Sequence, residues 1–182
     1  MRLKDELAAV VREAGALAAS TFRKEYKSWT KDGGSPVTEA DIAVDRLLRE
    51  RLTRLAPDCG WLSEESEDDR ARLGSARQWI VDPIDGTRAY VAGRTDWAVS
   101  VALVENGRPL VGAIFAPEED GLYLAAAGEG ATCDGAPLAT CAGFVQARVA
   151  GPKPMIAELE KSLPGLFAEP GMLTRPIGFA TL

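Results

Sequence analysis

Two aspartates three positions apart, Asp82 and Asp85, have the clearest chemical potential in this sequence. They lie in the stretch WIVDPIDGTRAY (79–90), directly after an apolar run at 79–81 that predicts a buried strand. A carboxylate at the end of a buried strand is unfavourable unless a cation or several hydrogen-bond donors compensate for the lost water. The stretch therefore predicts a bound partner for these carboxylates.

A divalent cation is the partner that explains both aspartates. An Asx-type turn accounts for one aspartate at the end of a strand, but not for two. Mg²⁺ takes oxygen ligands, often one or two carboxylates together with phosphate oxygens. Asp82 and Asp85, with the Ile84 carbonyl between them, can direct three oxygens to one region from a single turn, which Pro83 stiffens. The turn therefore predicts a Mg²⁺ site.

A phosphate site is predicted beside this metal site. Gly86 and Thr87 are expected to start a helix through TRAYV, so that free backbone N–H groups and the positive end of the helix dipole face the same region. Adjoining metal and phosphate sites favour phosphate-ester hydrolysis. The sequence contains no D-x-D, C-x5-R or GxxxxGK signature of other phosphoryl-transfer classes, and no EF-hand loop.

Composition excludes several other classes of function. The 182 residues contain no histidine, which excludes Ser-His-Asp hydrolases, HExxH metalloproteases and His-ligated zinc sites. A net charge of −6 disfavours binding to a nucleic-acid polymer, and no apolar run is long enough to predict a membrane span or membrane partner. Three cysteines without a CxxC pair, Cys59, Cys133 and Cys141, indicate reduced thiols and a cytoplasmic location.

The fold class predicted from periodicity is α+β, with two N-terminal helices packed on a mainly antiparallel sheet. One helix spans Leu3 to Phe22, and a second begins at Thr38, where TEAD matches a capping box closed by Asp41. Its inward face is expected to carry Ile42, Leu48, Leu52 and Leu55, and a later helix covers 155–163. Strands are predicted at 79–82, 97–105, 108–117, 121–128 and 130–138, with Asn106-Gly107 as a hairpin turn.

Three further acids have an ordinary explanation when each is taken alone. Asp41 can simply cap its helix, and this is the favoured reading from the local pattern. Glu64 and Glu65 can belong to a solvated acidic run that continues to Asp69. Local sequence therefore does not connect these acids to the Asp82–Asp85 turn.

The stretch 79–90 resembles the signature [WYL]-x-[IV]-D-P-[IL]-D-G-T-x-x-[FY] of the inositol monophosphatase family. SPVTEAD (35–41) and LSEES (62–66) match two further motifs of that family in order and spacing, and the resemblance extends to about residue 154. These are Mg²⁺-dependent, lithium-sensitive phosphatases with a layered α/β/α/β/α fold. They include 3'(2'),5'-bisphosphate nucleotidases and histidinol-phosphatase-like members.

The resemblance implies a role for each matching residue. Glu64, Asp82, Asp85 and the Ile84 carbonyl correspond to metal ligands. Glu65, the second acid of its motif, is implied to be a catalytic residue that supports these ligands rather than one that binds the metal directly. Asp41 and Thr87 together would orient and deprotonate the attacking water, which replaces the reading of Asp41 as a plain cap. Gly86 and Thr87 would bind phosphate through backbone N–H groups. The implied substrate is a small phosphate monoester such as inositol monophosphate. The alternatives are the nucleotidase or histidinol-phosphatase activity, or a truncated family member that binds metal with little or no turnover.

The resemblance also predicts a difference from the family. The family continues into a second α/β unit whose W-D-x-A-A-G motif supplies another metal-ligand aspartate, and this sequence lacks that motif. We expect residues 1–150 to form the metal- and phosphate-binding domain, and residues 151–182 to form an irregular tail or the start of a truncated second unit. Low or absent turnover is then expected from the chain alone, unless a second protomer in a homodimer completes the site.

Overall fold

The computed structural model describes residues 3–24, 27–30, 36–139 and 153–164. The helices in this part of the chain are α1 (Leu3–Thr21), α2 (Glu39–Leu55), α3 (Thr87–Val91) and α4 (Lys153–Ser162). The strands are β1 (Ser28–Thr30), β2 (Pro36–Thr38), β3 (Gly60–Ser63), β4 (Arg77–Asp85), β5 (Ala98–Glu105), β6 (Arg108–Ala116), β7 (Gly121–Ala126), β8 (Gly130–Cys133) and β9 (Ala136–Leu138).

A seven-stranded sheet runs from β3 to β9 in chain order. Neighbouring strands from β4 to β9 are antiparallel, whereas β3 and β4 are parallel. The separate β1–β2 pair is antiparallel and leads into α2. The predicted α+β class with a mainly antiparallel sheet is therefore confirmed, and the one parallel pair proves important for the site.

Helix α1 packs closely against the sheet through small residues. Ala14, Gly15 and Ala18 are all buried on its inner face. A Cβ atom added at Gly15 would lie 2.3 Å from the ring of Phe115 on β6, so only glycine permits this approach of helix and sheet. The helix predicted from Leu3 to Phe22 is thus confirmed as α1, and its close packing on the sheet requires a glycine at position 15.

Helix α2 turns inward most of the face that the sequence predicted, with an exception at Ile42. Leu48 and Leu52 are buried as expected, and Leu55 packs half-buried against the core, whereas Ile42 is only half-buried. The buried stripe also includes two acids, Asp41 and Asp45. Because residues three or four apart share a helix face, turning Asp41 inward brings Asp45 and Leu48 inward and moves Ile42 aside.

Two tight turns, of which only the first was predicted, connect neighbouring strands of the large sheet. Asn106 and Gly107 connect β5 and β6 with positive φ angles of 49° and 78°, as the Asn-Gly pair predicts. The strand predicted at 130–138 is wrong as one element, because Asp134 and Gly135 form a second such turn between β8 and β9. The reduced thiol predicted at Cys141 lies outside the described residues, and so does most of the tail predicted for 151–182. Within that tail, α4 lies where the sequence predicted a helix at 155–163.

In the part of the chain that the structure describes, no helix is both long and apolar enough to cross a membrane.

Candidate active site

The parallel pairing of β3 with β4 brings the acidic turn after β3 to the Asp82–Asp85 turn. Ser63, the last residue of β3, pairs with Val81, and the Glu64 N–H extends the ladder by donating to the Val81 carbonyl at 3.2 Å. Parallel strands that pair in register end at the same edge of the sheet. Glu64 consequently lies beside Asp82, and their side chains share a hydrogen bond.

Strand β4 loses its regular register between the two aspartates. Asp82 pairs with Ser100 and Asp85 with Ala98, so the intervening Pro83 and Ile84 form an irregularity in the strand. Such an irregularity changes the direction of side chains and carbonyls at the end of a strand. The Ile84 carbonyl is turned to the following helix, where it accepts a hydrogen bond from Thr87 Oγ1 at 3.0 Å.

Burial and three neighbouring acids together raise the pKa of Asp82. Burial is the largest influence, and the negative charges of Glu64 and Asp85 add to it, so that the pKa of Asp82 rises to about 8. Asp41 contributes a smaller repulsion of the same sign. Two hydrogen-bonded carboxyl groups need a proton or a cation between them, because two carboxylates offer no donor.

Asp41 combines the capping role predicted for it with a contact to the Asp82–Asp85 turn. Its Oδ2 atom accepts from the backbone N–H and hydroxyl of Thr38, while Thr38 Oγ1 accepts from the Asp41 N–H. Its Oδ1 atom accepts from Thr87 Oγ1 at 3.1 Å. Burial raises the pKa of Asp41, while hydrogen bonds from Thr38 and Thr87 oppose that rise. The fold therefore joins the cap of α2 to the start of α3.

Aromatic packing holds α3 against α1. The Tyr90 ring lies 5.2 Å from the Phe22 ring and 5.0 Å from the Trp97 ring, measured between centroids. The Tyr90 hydroxyl donates to the Ala18 carbonyl at 2.8 Å. These contacts fix the helix whose first residue is Thr87, so the Thr87 hydroxyl has a defined position.

The oxygen donors around Asp82 are of the type that Mg²⁺ uses. Glu64, Asp82, Asp85 and the Ile84 carbonyl offer oxygen atoms only, and the mutual repulsion of the three acids favours a cation. Among the described residues, no three acidic or cysteine side chains already converge as the ligands of an ion. The donor chemistry therefore fits a hard cation, although the side chains do not form a closed cage.

The predicted helix start at Gly86 and Thr87 is present but short. Gly86 is the N-cap residue of α3 and has a φ angle of 93°, in the left-handed region. The helix contains five residues, so its dipole adds little to the binding of an anion. The phosphate role of these two residues remains a prediction from the sequence.

Replacing Gly86 with alanine should destabilise the fold. A Cβ atom there would lie 2.7 Å from the Asp96 carbonyl oxygen, and the left-handed φ adds strain. We expect a loss of about 2 kcal/mol or more in the free energy of unfolding, measured by urea denaturation. Gly107→Ala is the matched control, because its φ is also positive but nothing lies within 4 Å. Equal losses in the two variants would contradict the predicted clash.

Glu65 and Asp45 complete the description of the site. Glu65 donates its backbone N–H to Ser63 Oγ at 3.2 Å, and its Oε2 atom is buried. Asp45 was missed by the sequence analysis, although it follows Asp41 by four residues and is buried by the same helix. The signal that could have identified Asp45 is its position four residues after Asp41, on a helix face that continues into Leu48 and Leu52.

The chain resembles phosphatases of one family along most of its length. The model of the inositol monophosphatase family matches residues 3–158. The 3'(2'),5'-bisphosphate nucleotidase CysQ of Shigella flexneri is 34% identical over 128 residues, which is 69% of this chain and 52% of that protein. The histidinol-phosphatase of Mycobacterium tuberculosis is 46% identical over 109 residues, covering 59% of this chain and 41% of that one.

Solved structures show the same fold. The Thermotoga maritima IMPase aligns with a TM-score of 0.77 at 24% identity, covering 90% of this chain and 65% of that one. The chain spans about half the length of the curated relatives that it matches.

Proposed function

The chain belongs to the inositol monophosphatase family, and from that premise we propose that its candidate site hydrolyses a small phosphate monoester with Mg²⁺. One contact carries the proposal: the Thr87 hydroxyl donates to buried Asp41 at 3.1 Å, next to the acid cluster around Asp82. A hydroxyl connected to a buried carboxylate can pass on a proton, and the neighbouring acids suit a cation. Proton removal and charge neutralisation are what phosphate-ester hydrolysis needs.

Glu64, Asp82, Asp85 and the Ile84 carbonyl are the proposed Mg²⁺ ligands. Bound there, Mg²⁺ would lower the pKa of a water molecule and offset the negative charge of the phosphate. Glu64 is the most solvent-exposed of the three acids, which leaves this side of the cluster open to water and substrate. Glu65, with its buried Oε2, is assigned to supporting the turn that carries Glu64.

Thr87 and Asp41 are the proposed water-activating pair. The Thr87 hydroxyl carries one proton, which it can donate to Asp41 Oδ1 or to the Ile84 carbonyl. As the Asp41 carboxylate takes that proton, Thr87 Oγ1 accepts one from the attacking water. The Thr87 hydroxyl is thereby restored, Asp41 ends protonated, and the water that attacks the phosphorus has lost one proton. Burial raises the pKa of Asp41, which makes its carboxylate a better base than a solvated one.

The substrate is proposed only as a class. Gly86 and Thr87 would bind the phosphate through backbone N–H groups, and we take inositol monophosphate as the first substrate to test. The nucleotidase and the histidinol-phosphatase that resemble this chain support two alternatives, a 3'(2'),5'-bisphosphate nucleotide and histidinol phosphate.

Release of inorganic phosphate from these three substrates tests the proposal. We expect the purified protein to release phosphate from at least one of them with Mg²⁺, and to stop when EDTA removes the cation. Lithium should inhibit the same activity. Release that continues unchanged in EDTA would contradict the proposal, and so would the absence of release from all three substrates.

We also propose a cellular location, a site-bearing unit and an assembly for this protein. Cys59 and Cys133 are free thiols, which supports a cytoplasmic location. Residues 1–150 are proposed as the unit that carries the site, because every contact described above lies within them. A homodimer is the proposed assembly by which further ligands could reach the same metal, and sedimentation of the purified protein would test it.

A further inference from the structure

A buried carboxylate outside the proposed catalytic group connects α2 to the acidic turn. Asp45 is 9% exposed and lies one helical turn after Asp41. One of its oxygens accepts from Ser63 Oγ at 2.5 Å, and the other accepts from Ser66 Oγ at 2.7 Å. Each carboxylate oxygen thus has a hydroxyl donor, and both donors belong to the same turn.

The two serines lie on either side of Glu64 and Glu65. Ser63 ends β3, and its Oγ atom also accepts the Glu65 N–H at 3.2 Å. Ser66 lies just beyond the two acids, and its Oγ atom accepts a longer hydrogen bond of 3.4 Å from Trp61 Nε1. A carboxylate that holds both ends of a four-residue turn restricts the direction in which the middle residues point.

Helix α2 therefore reaches both halves of the candidate site from one face. Asp41 contacts Thr87 at the start of α3, and Asp45 contacts the turn that carries Glu64. Residues four apart lie above one another on a helix, so the two carboxylates keep a constant separation. The helix can thereby set the position of one turn relative to the other.

We propose that Asp45 is a positioning residue that holds the Ser63–Ser66 turn so that Glu64 faces Asp82. The inference rests on the proposed function, in which Glu64 and Asp82 bind Mg²⁺. Asp45 does not contact the cation in this proposal and acts through the two serine hydroxyls. Groups that orient metal ligands in this way commonly change metal affinity about 10- to 100-fold when they are removed.

Titration calorimetry with Mg²⁺ alone tests this role without any substrate. We expect Asp45→Ala to weaken the Mg²⁺ Kd about tenfold or more. Asp45→Asn should lose less, because its amide accepts one serine hydroxyl and can donate to the other. Glu50→Gln is the matched control on α2, since Glu50 is exposed and pairs with Arg51 and Arg54 at the surface, and its Kd should equal that of the wild type.

A double-mutant cycle separates positioning from a general loss of stability. If Asp45 acts through Glu64, adding Asp45→Ala to Glu64→Gln should weaken Mg²⁺ binding little beyond Glu64→Gln alone. Additive losses would overturn the inference, because Asp45 would then act independently of Glu64. An unchanged Kd in Asp45→Ala with a lowered Tm would overturn it as well, since the role would be structural only.

The failure of this inference can be told from the failure of the proposed function. Absence of Mg²⁺ binding by the wild-type protein would overturn both proposals. Binding by the wild type that persists unchanged in Asp45→Ala would overturn the positioning role alone. If Asp45→Ala does not fold, Ser66→Ala removes only one of the two hydroxyl donors, and we expect a smaller weakening of the Kd in the same direction. An unchanged Kd in that folded variant would again overturn the inference.

Discussion

Replacing Thr87 with alanine, or Asp41 with asparagine, is expected to lower kcat for phosphate-monoester hydrolysis by about 10²-fold or more. The reason is that the proton of the attacking water would lose its path through Thr87 Oγ1 to Asp41 Oδ1, which lie 3.1 Å apart. Because this transfer belongs to the transition state, KM should change far less than kcat. Steady-state phosphate release by each variant and by the wild type measures both constants.

Matched variants separate this chemistry from an effect on folding. Thr87→Ser keeps the hydroxyl and should retain most of the activity, whereas Thr95→Ala alters an exposed threonine nearby and should leave kcat unchanged. Asp41→Asn keeps an acceptor for Thr38 and should cost about 1 kcal/mol or less in the free energy of unfolding. A kcat for Thr87→Ala close to that of Thr87→Ser would show that the hydroxyl takes no part in the reaction.

Replacing Asp82 with asparagine is expected to remove the stabilisation by Mg²⁺ and to make the cation-free protein more stable at high pH. The pKa of Asp82 is raised to about 8 in the folded protein, so the folded state holds this proton more tightly than the unfolded chain does. The resulting stability is complete below the ordinary aspartate pKa and is lost as the pH rises through about 8. Each pKa unit corresponds to about 1.4 kcal/mol.

Thermal melting across this pH range, in EDTA and in excess Mg²⁺, checks the expectation for Asp82. In EDTA at about pH 9, Asp82→Asn should melt at a higher temperature than the wild type, because asparagine carries no charge to repel Glu64 and Asp85. In Mg²⁺ at 100 times the Kd, the wild type should gain about 2.7 kcal/mol, and the variant should gain little. Asp58→Asn, a surface change beside Arg77, should leave the Mg²⁺ response intact. An equal Mg²⁺ shift in the wild type and Asp82→Asn would contradict the assignment of the metal ligands.

Features built from neighbouring residues were determined by the sequence itself. The Thr38–Asp41 capping box, the Asn106-Gly107 turn and the Gly86 helix start are all present where the local pattern predicts them. Each depends on interactions within about four residues, so local backbone preferences are enough to specify it. For the same reason, the local sequence could not distinguish a plain helix cap at Asp41 from a residue of the site, because a capping residue needs no distant partner.

Tertiary structure decided which of these local features meet. Asp41 contacts Thr87 across 46 positions of sequence, and Glu64 reaches Asp82 only because β3 pairs with β4 in parallel. Asp45, rather than Ile42, faces inward because the rotation of α2 is set by packing against the sheet and by the hydroxyls of the acidic turn. Strand register and helix rotation depend on contacts between distant segments, which have no counterpart in a short stretch of sequence.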